Sequence, residues 1–295
     1  MQNKIKSVIQ LFISKLLIFF IGIVKGFLVP GILGAKTYGI IQYFSILQTV
    51  LSFSGMGFNA AYIRLLPDIK KGNNPEVETS KLQNLIFSFL FIASLVSMFV
   101  TIMVPFLIKP FSYEDRFMMT FCFIVIAITH FFTLIGSFFF QSQYIEKNFS
   151  LIFKINIFQS IFSIFLILVS ITYWGIYGFF IAEFFTVLAT QGIYYYNTNI
   201  KLKFQLGWES FKEIFNYSFP FFIGNVGFYF MRLADKSIIS FFFTFRDLGF
   251  YGFAANLVEQ CKLISVSISD VIIPHFIDDI SQISKLEDLK KKLRE

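Results

Sequence analysis

The chain has 295 residues, of which 56% are hydrophobic, 20% are aromatic and only 15% are charged. A soluble domain must cover a polar surface, so its apolar fraction stays near about 45–50% and its charged fraction near about 25%. The composition therefore excludes an ordinary soluble domain and predicts an all-α, polytopic membrane protein. The formal net charge of +7 does not indicate nucleic acid, because the basic residues fall between apolar runs, where anionic lipid and membrane topology account for them.

Eight apolar segments reach the length of about 20 residues that a membrane-spanning helix needs. They are Val8–Leu33, Ile40–Ile63, Leu82–Ile108, Phe117–Gln141, Phe149–Tyr173, Ile176–Tyr196, Phe215–Phe243 and Tyr251–Ile273. The connections between them are short, and the longest runs from Arg64 to Lys81. A membrane-bound glycosyltransferase or ligase usually holds its polar donor in a sizeable loop or domain, so the pattern argues against an enzyme.

Lysine and arginine are distributed unevenly between the two sides that these helices define. One side has only Lys36, Lys109, Arg116 and Arg246. The other side holds Lys4, Lys6, Arg64, Lys70, Lys71, Lys81, Lys147, Lys201, Lys203, Lys212, Lys285, Lys290, Lys291, Lys292 and Arg294. Because positive charge is retained on the cytoplasmic side, we expect both termini to be cytoplasmic.

Two short patterns recur in the same order along the chain. The tetrapeptide FFIG occurs at 19–22 and again at 221–224, and LGAKTYG at 33–39 is answered by LGFYG at 248–252. Either match alone is expected by chance in a chain with 45 phenylalanines, but two in order indicate an internal repeat, a common plan in transporters. We therefore expect a six-helix N-terminal lobe at 1–200, a cytoplasmic linker at 201–214 and a partial second lobe of two helices and a basic tail at 215–295.

The first predicted helix carries Lys15 and Lys25 inside its apolar run. An ionisable group at bilayer depth costs roughly 2.5–3.5 kcal/mol, so such groups usually face a water-filled cavity or a partner. The two lysines lie about 80° apart around the helix and about 15 Å apart along it, on a stripe shared with Gly22 and Gly26. This pattern indicates a cationic strip facing a cavity; the alternative is that the lysines extend to the membrane interfaces.

The seventh predicted helix contains Arg232, Asp235 and Lys236, which lie on neighbouring turns of one face. One interpretation is an ion pair that makes the helix tolerable in lipid. The other is that two bases and one acid leave a positive cavity that attracts phosphate, with Asp235 available to bind a proton or a sodium ion.

Two further carboxylates lie in predicted helices and are candidates for ion coupling. Glu183 belongs to the sixth segment, and Glu259 belongs to the eighth, where Lys262 one turn later is an alternative partner for it. The sequence contains no nucleophile-elbow, Walker, zinc-protease or paired-cysteine motif, so we expect no catalytic residue, metal or cofactor. Any transport energy would then come from an ion gradient, the membrane potential or the ligand's own gradient.

Four stretches resemble the polysaccharide or O-antigen flippases of the MATE-like multidrug/oligosaccharidyl-lipid/polysaccharide (MOP) exporter superfamily. They are LVPGILGAKTYGIIQ at 28–42, GMGFNAAYIRLLPD at 55–68, ADKSIISFF at 234–242 and LGFYGFAANLVEQ at 248–260. The resemblance implies two six-helix lobes around a central cavity, which moves undecaprenyl-diphosphate-linked oligosaccharide outward by alternating access. It also implies four or more further helices, so we expect this chain to be truncated or one part of a split gene.

The resemblance also suggests site residues. In relatives that flip peptidoglycan precursor, a basic residue in the first helix, upstream of the loop glycine, contacts the diphosphate, and Lys25 upstream of Gly34 matches that place. Arg64 ends the second helix, where the family often has arginine. The residues expected to contact the diphosphate or line the cavity are Lys15, Lys25, Arg64, Arg232 and Lys236.

The leading hypothesis is a lipid-linked oligosaccharide flippase in a bacterial inner membrane. Its expected partners are membrane lipid, a polyprenyl-diphosphate-linked oligosaccharide, and either a missing C-terminal half or polysaccharide assembly proteins. Two alternatives are a cation-coupled multidrug exporter of the same fold, which would favour acidic cavity residues, and a membrane polymerase or ligase of polysaccharide assembly.

Overall fold

The computed structural model describes the backbone of residues 2–70, 74–107 and 113–262, and their side chains except at 2–12, 14–15, 67–68, 113–115 and 232. The end of the eighth predicted helix and the basic tail lie outside the described residues. Within those ranges every regular element is helical. The elements are α1 (Gln2–Leu51), a 3-10 turn (Ser52–Gly55), α2 (Phe58–Ile69), α3 (Pro75–Leu107), α4 (Tyr113–Ile145), α5 (Phe149–Tyr196), α6 (Trp208–Phe242) and α7 (residues 245–262).

Helix α1 consists of two limbs that fold back on each other at Gly34. This residue has φ 75° and ψ 162°, a conformation that glycine adopts without steric cost. Consecutive residues of α7 contact both limbs: the Phe253 ring lies 5.3 Å from the Phe27 ring, and Gly252 abuts the Gln42 side chain. Residues 27 and 42 of one straight helix would be about 22 Å apart, so the first limb (2–33) and the second limb (35–51) lie side by side.

Helix α5 folds back in the same way at Gly175, which has φ 56° and ψ −129°. A Cβ at Gly178 would overlap the carbonyl oxygen of Ser170, although eight residues of continuous helix would separate the two by about 12 Å. Its first limb is 149–174 and its second limb is 176–196. The described chain therefore crosses the bundle eight times, through two limbs each of α1 and α5 and through α3, α4, α6 and α7, which confirms the predicted all-α fold.

The predicted continuous second helix, Ile40–Ile63, is wrong in its boundaries. Helix α1 ends at Leu51, and the chain turns through Met56 (φ 43°) and Gly57 (φ 73°) before α2 begins. A Cβ at Gly57 would lie 2.9 Å from the carbonyl oxygen of Ser218 on α6. Hydropathy does not predict this break, because the sequence stays apolar from the end of α1 to the start of α2.

Helix α6 begins at Trp208, seven residues before the predicted start at Phe215. The extra turns are amphipathic: Ile214 is buried, and the rings of Trp208, Phe211 and Phe215 follow one another at 5.6 Å between centroids. Charged residues between these aromatic residues conceal the segment from a search for apolar runs.

Four helices in the described ranges are long and apolar enough to cross a membrane. They are Leu16–Gly55, Pro75–Leu107, Arg116–Ile145 and Phe149–Tyr196, and the first and last, with 40 and 48 residues, contain two limbs each. Because a single crossing needs about 20 residues, these two helices account for four crossings.

Two aromatic clusters form the buried core of the bundle. One joins α2, α3 and α4 to both ends of α5 and to the beginning of α6, with Tyr62 and Phe138 stacked at 5.3 Å. The other joins α1, α4 and α5, where the Phe44 ring lies 5.0 Å from Phe123 and 5.4 Å from Phe180. These clusters hold the two limbs of α1 and the second limb of α5 in fixed positions on one side of the bundle.

Helices α6 and α7 pack against that side, and α7 crosses the second limb of α1 at two glycines. A Cβ at Gly39 would overlap the carbonyl oxygen of Phe245, and a Cβ at Gly249 would overlap that of Ala35. The backbones of the two helices are therefore in direct contact. Gly39 and Gly249 belong to the two recurring segments of the sequence, 33–39 and 248–252, which therefore pack against each other.

The connection from α5 to α6 follows α3 without regular structure. The backbone N–H of Lys203 donates to Asn84 Oδ1 at 2.8 Å, and that of Gln205 donates to Ser88 Oγ at 2.9 Å. Side chains of α3 thus supply the hydrogen-bond acceptors that this connection lacks.

Candidate functional site

A cavity of about 960 Å³ lies between α1, the second limb of α5, and helices α6 and α7. The limbs of α1 and α5 bound it on one side, and α6 and α7 bound it on the other. Six charged side chains line it among the residues that the structure describes: Lys25, Glu183, Asp235, Lys236, Glu259 and Lys262.

Five of the eight residues predicted from sequence meet in this cavity, namely Lys25, Glu183, Asp235, Lys236 and Glu259. Arg64 lies elsewhere: it is exposed on α2, and its guanidinium carbon is 3.8 Å from the ring centroid of Phe221 on α6, a cation–π contact. The side chains of Lys15 and Arg232 lie outside the described part of the structure.

Lys25 projects from the first limb of α1 between Gly22 and Gly26, which also line the cavity. Its ammonium group donates to Ser163 Oγ on α5 at 3.4 Å. Glu183 on the second limb of α5 and Gln48 on the second limb of α1 line the same cavity. The hydrogen bond to the first limb of α5 therefore positions this lysine in the cavity.

The neighbouring residues Asp235 and Lys236 of α6 connect to different helices. Lys236 Nζ donates to Gln42 Oε1 at 2.9 Å, and Gln42, on the second limb of α1, is only 2% exposed. Asp235 Oδ2 accepts a hydrogen bond from the hydroxyl of Tyr251 on α7 at 2.9 Å. The charged turn of α6 is thus bonded to α1 on one side and to α7 on the other.

Helix α7 closes the cavity on its remaining side. Asn256 Nδ2 donates to the Tyr38 hydroxyl of α1 at 2.6 Å. Glu259 Oε1 lies 3.4 Å from Lys262 Nζ, which is the partner that the sequence offered as an alternative to ion coupling.

The described charges of the cavity balance, because three lysines face three carboxylates. The interpretation from sequence, in which the cavity is net positive, also counts Arg232, whose side chain lies outside the described part of the structure, so it stays a prediction. In a low-dielectric site each of these charges is favourable only beside a counter-charge or a hydrogen-bond partner. An anionic ligand must therefore take a lysine from its present partners.

Sequence reasoning missed the neutral residues that position these charges, namely Gln42, Ser163 and Tyr251. The search concentrated on ionisable groups. An amide or hydroxyl inside an apolar run needs a partner for the same physical reason, so glutamine and asparagine within the predicted helices were an available signal.

The long apolar helices and the charged cavity between them define the class, a polytopic membrane protein. The sequence matches the family described as "Polysaccharide biosynthesis protein" over residues 28–295, and the chain belongs to that family. A search of curated proteins finds no match.

Solved structures share this fold at low sequence identity. A structure described as a MATE in complex with MaD3S superposes with a TM-score of 0.63 at 11% identity, covering 94% of this chain and 71% of that one. A MOP superfamily transporter from Pyrococcus furiosus Vc1 gives a TM-score of 0.59 at 11% identity, over 94% and 70%. A third, described as protein A, gives 0.61 at 16%, over 92% of this chain and 63% of its own length. The chain thus spans about two thirds of these proteins.

Proposed function

We propose that this protein acts in the transfer of undecaprenyl-diphosphate-linked oligosaccharide across the bacterial cytoplasmic membrane, as a flippase of surface polysaccharide biosynthesis. The observation that carries the proposal is that Lys25 and Lys236, from different halves of the sequence, line one cavity. Charge-assisted hydrogen bonds from lysine to phosphate oxygens are strong, and lysine acts as a point charge that does not require one ligand geometry. Membership of the polysaccharide biosynthesis family agrees with this substrate class.

The size of the cavity suits a lipid head group. Its volume of about 960 Å³ is at the upper end of the roughly 300–1,000 Å³ typical of small-molecule sites. Gly22 and Gly26 leave the wall beside Lys25 without side chains, and no heavy atom lies within 4 Å of a Cβ built at Gly26. A diphosphate would bind between Lys25 and Lys236, and its polyprenyl chain would remain in the bilayer.

The proposed arrangement assigns residues 1–200 to one lobe, 201–214, whose last seven residues form the first turns of α6, to a cytoplasmic linker, and 215–295 to part of a second lobe. Both termini are cytoplasmic in this scheme, as the lysine and arginine distribution indicates. Transport then consists of relative movement of α6 and α7 against α1, which exposes the cavity to each side of the membrane in turn.

The test uses the full chain in its native host. We expect Lys25→Ala with Lys236→Ala to reduce surface polysaccharide at least about tenfold, because hydrogen bonds to charged groups are each worth about 1.5–3 kcal/mol. The membrane content of the protein is measured in parallel. Lys154→Ala is the matched control, since Lys154 is an exposed lysine of α5 outside the cavity. Normal polysaccharide in the double variant would overturn the proposal.

A second candidate is a cation-coupled exporter of the same fold. The three carboxylates in the cavity favour it, because acidic groups bind organic cations. Cells producing this protein would then extrude a cationic dye, and Glu183→Gln would abolish that efflux while surface polysaccharide stayed normal.

A further inference from the structure

The cavity has a neutral polar wall on the second limb of α1. Ser45, Gln48 and Thr49 are spaced three and four residues apart, so they share one face of the helix, and all three line the cavity. None of the described cavity-lining residues of this limb is charged. This neutral face, defined by these three residues, therefore offers a ligand hydrogen bonds without an ion pair.

The neutral face begins one helical turn beyond the two lysines assigned to the diphosphate. Lys236 is bonded to Gln42, which precedes Ser45 by one turn. Lys25 precedes the reversal at Gly34 by about as many residues as Gln42 follows it, so both lysines lie near the same level of the paired limbs. A diphosphate held by the lysines therefore places its attached group beside the neutral face.

Helix α6 faces the neutral face across the cavity. Two contacts join α6 to α1 at the two ends of this section: Lys236 bonds Gln42 at one end, and at the other the Tyr229 ring lies 5.9 Å from the Phe53 ring. Between these contacts α6 lines the cavity with Tyr229, Met231, Leu233 and Asp235. A sugar ring has hydroxyl groups at its edge and C–H groups on its faces, and the negative face of an aromatic ring attracts C–H groups. The two walls of this section suit those two surfaces.

The hydroxyls of the neutral face are oriented to accept hydrogen bonds from a ligand. Ser45 Oγ donates to the carbonyl oxygen of Gln42 at 2.7 Å, and Thr49 Oγ1 donates to that of Ser45 at 2.9 Å. A hydroxyl has one donor and two acceptor lone pairs, so each oxygen keeps its capacity to accept. The oxygens of an ionised diphosphate only accept, whereas a sugar hydroxyl also donates. The neutral face therefore complements a sugar and not a second phosphate.

We propose that the neutral face binds the sugar that is attached to the diphosphate. The inference rests on the proposed flippase function and adds a second subsite to the same cavity. Sugar hydroxyls donate to Ser45 and Thr49, and the Gln48 amide supplies both a donor and an acceptor. The protein thereby distinguishes lipid-linked oligosaccharide from the same lipid diphosphate without a sugar.

The experiment measures the binding of two lipids to the full chain in lipid nanodiscs. One is undecaprenyl-diphosphate-linked oligosaccharide purified from the native host, the other is undecaprenyl diphosphate, and undecaprenol is the uncharged reference. The test variant, Ser45→Ala with Thr49→Val, removes both hydroxyls and keeps the shape of the wall. We expect it to raise the Kd for the oligosaccharide lipid about tenfold, because two neutral hydrogen bonds are lost, and to leave the Kd for undecaprenyl diphosphate unchanged.

The matched control is Ser94→Ala with Thr101→Val on α3. Ser94 donates to the carbonyl oxygen three residues before it and Thr101 to the one four residues before it, which is the pattern of Ser45 and Thr49. Neither α3 residue is among those that line the cavity. The control variant should therefore leave both Kd values unchanged.

Each failure has a distinct meaning. If the wild-type protein binds neither diphosphate lipid more tightly than undecaprenol, the proposed function is overturned and this inference with it. If undecaprenyl diphosphate binds but the oligosaccharide adds no affinity, or if the test variant leaves both Kd values unchanged, the inference alone is overturned. A rise of equal size for both lipids, or an equal rise in the control variant, also overturns it, because the lost hydroxyls would then not act on the sugar.

Discussion

The crossing of α1 and α7 makes a sharp prediction at Gly249. An added methyl group in Gly249→Ala would overlap the carbonyl oxygen of Ala35 and would lie 3.1 Å from the Gly39 nitrogen. Both neighbours are backbone atoms, so no change of rotamer can relieve the contact. The two helices must separate, and the crossing must loosen.

The magnitude follows from what surrounds the methyl group. Overpacking a well-packed contact costs about 1–3 kcal/mol, and the rigid neighbours place this substitution toward the upper end. A free-energy change of that size alters the ratio of molecules with α1 and α7 packed together to molecules with them apart by roughly 5–150-fold. Gly224→Ala is the matched control: Gly224 lies on α6, and nothing is within 4 Å of its built Cβ.

The assay is cross-linking between α1 and α7. Cysteines replace Phe27 and Phe253, whose rings are 5.3 Å apart, in a background without the two native cysteines. The yield of cross-linking by a short bifunctional maleimide measures the fraction of molecules in which α1 and α7 are packed together. Gly249→Ala should reduce cross-linking several-fold and Gly224→Ala should not. Equal cross-linking in both variants would refute the close backbone approach.

Other predictions concern the cavity, the bend in α5 and the linker. Gln42→Leu removes the acceptor for Lys236 and should lower the free energy of unfolding by about 1–3 kcal/mol, measured by thermal unfolding in detergent. Gly175→Ala places a side chain at φ 56° and should cost about 1–3 kcal/mol in the same assay. Asn84→Ala removes the acceptor for the Lys203 N–H and should accelerate tryptic cleavage after Lys203 several-fold, as read by mass spectrometry.

Matched controls accompany these changes. Gln42→Glu keeps an acceptor for the lysine and should retain stability, whereas equal losses in the Leu and Glu variants would contradict the hydrogen-bond argument. Gly192 lies in the second limb of α5, and nothing lies within 4 Å of a Cβ built there. Gly192→Ala should therefore leave stability unchanged. An unchanged cleavage rate in Asn84→Ala would show that the linker does not depend on α3.

Much of the fold was predictable because the bilayer limits the choices. Eight crossings follow from segment length alone, and the reversals at Gly34 and Gly175 fall where the sequence places a glycine between apolar runs. The break before α2 and the early start of α6 were not predictable in this way. Before α2, the sequence stays apolar through the left-handed turn at Met56 and Gly57. At the start of α6, charged residues lie between the aromatic residues whose stacked rings stabilise the helix.

The site was predictable to the extent that charge inside a membrane helix needs a reason. That argument selected Lys25, Glu183, Asp235, Lys236 and Glu259, which the structure brings into one cavity. It could not reveal the partners of Lys25 and Lys236, because Ser163 and Gln42 lie more than a hundred positions away from them in the sequence.

Arg64 shows the limit of placing a residue by resemblance. Its position at the end of the predicted second helix suggested the cavity, whereas in the structure its guanidinium group lies over the Phe221 ring of α6.

The most direct test of the account is the leaflet distribution of lipid-linked oligosaccharide in membrane vesicles from the native host. A membrane-impermeant lectin counts the oligosaccharide on each face. With the wild-type protein the oligosaccharide should reach the outer leaflet, and with Lys25→Ala and Lys236→Ala together it should remain in the inner leaflet at unchanged protein content. The same distribution in wild-type and double-variant vesicles would contradict a role for these lysines in carrying the diphosphate across.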